Sequence, residues 1–201
     1  MKSTSTSLLL RLRNPTDQDA WREFERDYRE LLLRYFSRRG LRASDAEDVL
    51  QGLLLDLARH LPNFTLDRER GRFRDYLFRC ASNALARWRE RERRDEQRLD
   101  SALASRLSDE GLEAEAAQAW EREWVDHHYR LALRSVRRDF DARSVEIFER
   151  CVAGAAVEQL AREYSVSHDA IYKLRQRIRA RMQELIEQQI RAEDALDDSI
   201  E

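Results

Sequence analysis

Apolar side chains recur along most of this chain at steps of three, four and seven, the period of one helix face. The first clear stripe runs from about Asp17 to Arg38 and carries Trp21, Phe24, Tyr28, Leu31, Leu32, Tyr35 and Phe36, with Gly40 as its stop. A second begins at Ser44-Asp45-Ala46-Glu47, whose spacing predicts a capping box. Its core face is Val49, Leu50, Leu53, Leu54, Leu57 and Leu61, and Pro62 ends it. A third starts near Arg72 with Phe73, Tyr76, Leu77, Cys80, Ala81, Ala84, Leu85 and Trp88, and runs into an arginine-rich end at Arg94. No strand-like alternation persists, and only five Gly and two Pro interrupt 201 residues. The predicted fold is all-α.

Composition then divides the chain. Residues 95–123 are rich in Ala, Ser and acids and read as an acidic linker, partly helical and broken at Gly111. Residues 1–94 and 124–189 read as two small helical domains, and 190–201 as an acidic, frayed tail. The net charge of −2 conceals blocks: Asp67 to Arg94 holds ten arginines against five acids, and Ala170 to Gln183 holds five basic residues and no acid. Two cationic surfaces on one chain suit two nucleic-acid contacts, although such a run is also the ordinary form of a solvated helix face. Lys2 and Lys173 are the only lysines; arginine supplies the rest of the positive charge and favours bidentate contacts to phosphate.

The second domain contains a predicted helix-turn-helix. Val157 to Tyr164 forms a short helix with Ala161 as the small residue at the helix crossing. Ser165 occupies the turn position that favours glycine, and Ser167 caps the next helix. That helix turns Ile171, Leu174, Ile178 and Met182 inward, and offers Tyr172, Lys173, Arg175, Gln176 and Arg177 as DNA-binding candidates.

Other chemistry is sparse. Cys80 and Cys151 lie in apolar stripes with no CxxC or Cys/His cluster, so no metal or cofactor is expected. His60, His127, His128 and His168 are scattered, and no phosphate loop, HExxH or nucleophile–base pair stands out, so no catalytic residue is assigned. With no apolar run long enough to span a bilayer and no signal-peptide core, a cytoplasmic protein without a membrane partner is expected.

Two segments of the N-terminal half carry a family likeness. Asp45-Ala46-Glu47-Asp48-Val49-Leu50-Gln51 resembles the "DAEDxxQ" signature of sigma region two. Phe73-Arg74-Asp75-Tyr76-Leu77-Phe78-Arg79-Cys80-Ala81-Ser82-Asn83 resembles the family's "F-R-x-W-L-x-R-x-A-x-N". With the helix from Ala170 to Arg181 standing in for region four, residues 8–189 resemble sigma factors of the extracytoplasmic-function (ECF) type. The resemblance implies a non-enzymatic protein that binds core RNA polymerase, at the clamp helices of its largest subunit and at its flap, and directs initiation at promoter DNA. Asp45, Asp48 and Gln51 would face the polymerase. Arg79, Asn83 and Arg87, with the loop from Asn63 to Arg70, would engage the minus-ten element, and the second domain the minus-thirty-five element. Gly52 departs from the usual glutamate, which raises the expectation of weaker core affinity and of a regulatory kinase acting at Ser44 or Thr65; an anti-sigma factor is a further candidate partner. The rival reading is a stand-alone helix-turn-helix regulator, which would dimerise on a palindromic site.

Overall fold

The computed structural model describes residue 8 and residues 11–63, 73–99 and 110–194. Among these there are seven α-helices and no strand: α1 (Gln18–Arg38), α2 (Ala43–His60), α3 (Phe73–Leu99), α4 (Glu110–Asp139), α5 (Ala142–Val152), α6 (Val157–Glu163) and α7 (His168–Asp194). A 3₁₀ turn, Leu61–Asn63, follows α2. The chain divides into two compact units, one of residues 1–127 with 191–201 and one of residues 128–190.

In the first unit, α1 packs on α2 and α2 on α3. Asp17 caps α1 by accepting from the Ala20 amide at 2.9 Å, and Arg11 grips the same carboxylate at 2.9 and 3.1 Å. Burial of Phe24, Tyr28, Leu31, Leu32, Tyr35 and Phe36 follows the predicted stripe. They meet Ala46, Val49, Leu50, Leu53 and Leu57 of α2, and Phe73, Leu77, Ala81, Ala84 and Leu85 of α3. Gly40, at φ +92°, closes α1: its amide donates to Ser37 O and that of Leu41 to Phe36 O. This paired closure needs a left-handed residue, and glycine takes that conformation without a Cβ clash.

The predicted capping box does not form. Helix α2 starts at Ala43 with Arg42 as its N-cap and no side-chain cap. Ser44 already lies inside the helix and donates to Asp45 at 3.3 Å, while Glu47 accepts from Arg29 of α1 at 2.5 Å. An ion pair between helices has replaced the local bond.

The segment read as linker also differs. Helix α3 continues to Leu99, and α4 begins at Glu110 and passes through Gly111 without a break. Ala119, Trp120 and Trp124 are buried in the core of the first unit, and Ala116 is buried one turn before them. The Trp120 ring stands edge-on to Tyr35 at 5.3 Å and lies 5.6 Å from Phe78, while His127 stacks on Tyr28 at 5.0 Å. Glu123 is 0% exposed and accepts from Arg38. The first unit therefore extends to residue 127, beyond the expected boundary at 94, because α4 supplies an aromatic face that α1 and α3 cover.

The second unit holds the rest of α4 with α5, α6 and α7. Ala132, Val136, Val145, Phe148, Ile178, Met182 and Leu185 form one cluster, and Ile147, Leu160, Ala161 and Ile171 another; Leu174 packs against both. Asp141 caps α5 through the Ser144 amide at 2.8 Å and its hydroxyl at 2.7 Å. The ends of α5 and α6 repeat the closure of α1, with Gly154 at φ +91° and Ser165 at φ +51° as the left-handed residues.

Candidate nucleic-acid interface

Steps of four along α3 place Arg79, Asn83 and Arg87 on one exposed face, opposite the buried Leu77, Ala81 and Leu85. The three are thus brought together as a row. Arg87 also pairs with Asp56 of α2, a partner that the sequence reading did not single out. Of the aromatic residues that begin and follow this row, Phe73 is core, and Tyr76 and Trp88 are half-buried against it. Burial pushes the Tyr76 phenol and the Cys80 thiol upward, so both are held neutral on the inner side of the helix. Of the loop from Asn63 to Arg70, only the backbone of Asn63 falls within the described residues; Thr65 and the others lie outside them.

On α2, Asp48 and Gln51 are exposed and Asp45 is half-buried. Gly52 and Leu55 continue the exposed face, and Leu55 is 59% exposed, an apolar side chain left at the surface by three and four residue steps from polar neighbours. The sequence offered a signal for Leu55: it falls outside the stripe of Val49, Leu50, Leu53 and Leu57. Ser44 is exposed at the start of this helix.

In the second unit, Ser165 and Val166 lie in the turn between α6 and α7. The Ser167 hydroxyl caps α7 by accepting from the Ala170 amide at 3.1 Å, as expected. Two arginines of α5 hold the end of α6. Arg143 donates to the Tyr164 carbonyl, and Arg150 pairs with Glu163 and donates to the Tyr164 hydroxyl at 3.2 Å. Both guanidinium groups lie over the Tyr164 ring, at 5.8 and 5.6 Å. This clamp was not legible locally, since its members are 13 to 21 residues apart.

Along α7, Tyr172, Lys173, Gln176 and Arg177 are exposed, whereas Arg175 is half-buried. Lys173 pairs with Asp169 at 2.8 Å, Arg175 lies over Tyr172 at 5.9 Å, and Arg177 over Phe140 at 5.7 Å. The five candidates therefore share one helix but not one environment. Arginine stacked on an aromatic ring keeps its in-plane donors available for phosphate or base edges. His127 and His128 are both buried. Among the described residues no group of His, Cys, Asp and Glu could hold a metal ion, and no helix is long and apolar enough to cross a membrane.

Residues 25–95, covering most of α1, all of α2 and most of α3, match the family model for Sigma-70 region 2. No curated protein and no solved structure matches the chain. The match covers 71 of the 201 residues.

Proposed function

We propose that the chain is a sigma factor of the ECF type, which binds core RNA polymerase through the exposed face of α2 and directs promoter-specific initiation. The observation that carries this reading is the Sigma-70 region 2 match, which falls on the helices bearing Asp48 and Gln51 on one exposed face and Arg79, Asn83 and Arg87 on another. Asp45, half-buried at the start of α2, borders the polymerase face. In the α3 row, arginine suits phosphates of the opened strand and Asn83 suits base edges. The second unit adds a helix-turn-helix for the minus-thirty-five element. Helix α7 would lie in the major groove, with Tyr172, Lys173, Arg175, Gln176 and Arg177 as its contacting residues.

Run-off transcription tests the reading. Purified chain added to bacterial core polymerase on genomic DNA gives transcripts from discrete start sites that core alone does not produce. If the chain does not associate with core, the reading falls. If it also dimerises on a palindromic duplex without polymerase, the stand-alone regulator takes its place. Within the sigma reading, Arg175→Ala weakens promoter binding and lowers the salt slope by about one if this guanidinium meets a phosphate.

A further inference from the structure

Asp56 stands on α2 at the edge of the α3 row, and its Oδ2 accepts from Arg87, 31 residues away in sequence. The other carboxylate oxygen lies 3.8 Å from Arg59. Asp56 is 29% exposed and Arg87 59% exposed, so the pair is at the surface, where water and salt screen it and ion pairs are weak and readily exchanged. A phosphate could thus replace the carboxylate on Arg87. We propose that Asp56 attenuates DNA binding by the α3 face: its carboxylate occupies Arg87 in the free chain and must be displaced by a DNA phosphate. This rests on the reading of Arg79, Asn83 and Arg87 as a DNA surface.

The physical consequence falls on the sequence-independent part of binding. Arg87 is neutralised in advance, so its contact with a random strand adds little net counterion release, the term that dominates sequence-independent binding. Contacts of Asn83 to a base edge are not reduced in the same way. An acid at this position therefore weakens the sequence-independent part of binding and leaves the Asn83 contribution in place, so a larger share of the remaining affinity rests on the base contact. Asp56 also lies one residue from Leu55 and four from Gly52, on the helix whose exposed face would hold the polymerase. The attenuating carboxylate and the polymerase-facing residues are thus carried by one rigid element.

A double-mutant cycle in the full chain tests this, read by fluorescence anisotropy on a labelled single-stranded oligodeoxynucleotide of mixed sequence, with circular dichroism to establish that each variant is folded. Asp56→Asn raises affinity about 3–10-fold at low salt and steepens the salt slope by about 0.7, the contribution of one phosphate contact on a single strand. Arg87→Ala weakens binding, and Asp56→Asn added to Arg87→Ala changes nothing further. An equal rise in the Arg87→Ala background overturns the proposal, because the effect would then be a general change of charge. A fall in affinity, or no binding by any variant, overturns it as well. Run-off transcription separates the two readings: if the cycle closes as stated but the chain supports no initiation with core, the role of Asp56 stands on DNA and the sigma assignment falls.

Discussion

Gly52 sits within α2 on its exposed face, and a Cβ built there meets nothing within 4 Å. Its backbone is helical, so glycine brings only conformational freedom that the unfolded chain retains. Gly52→Ala is expected to stabilise the first unit by about 0.5–1 kcal/mol, measured by urea unfolding. Ser165 is the opposite case. Its left-handed backbone is required by the closure of α6, and a short polar side chain tolerates it where a branched one would clash. The sequence indicated a turn position favouring glycine there, because the offset of four from Ala161 defined it. The capping box at Ser44 was also indicated and does not occur. Its glutamate is recruited by Arg29, which lies 18 residues earlier on another helix, beyond the reach of any local pattern.

At the scale of elements, the helices whose apolar stripes stood out, α1 to α3, lie where periodicity placed them, to within a few residues at their ends. Helix α4 was obscured. Its first half alternates acids with alanine, which reads as solvated linker, yet alanine and glutamate are strong helix formers and Ala116, Trp120 and Trp124 keep steps of four. What converts that segment into core is the aromatic surface of Tyr28, Tyr35 and Phe78, contributed by helices distant in sequence. Trp120→Ala is therefore expected to cost the first unit about 3–5 kcal/mol, as for a buried aromatic residue. Urea unfolding monitored by circular dichroism measures it; a solvated linker tryptophan would show almost no loss.

Across the whole molecule, three carboxylates distributed over both units link stability to pH. The Arg11 guanidinium and the Ala20 amide hold the Asp17 carboxyl below the usual range. The Ser144 hydroxyl and amide do so for Asp141, and Arg150 for Glu163. Each folded value lies below its unfolded value of about 4. Their stabilisation is complete above that pH and is lost as pH falls through the folded values. Thermal melts are accordingly expected to hold steady from pH 7 to about 5 and to fall below about 4. Asp141→Ala lowers the melting temperature at neutral pH, and its difference from the natural chain shrinks in acid. The all-helical class was legible because it is written as local periods. The division near residue 127 was not, because it depends on which surface the front of α4 covers. That covering separates two kinds of boundary. The family match ends at residue 95, but the core of the first unit is not complete until Trp124 has been added. A polypeptide trimmed to the recognised segment would leave Tyr35 and Phe78 bare to water, and would self-associate where one continued through His127 stays dispersed.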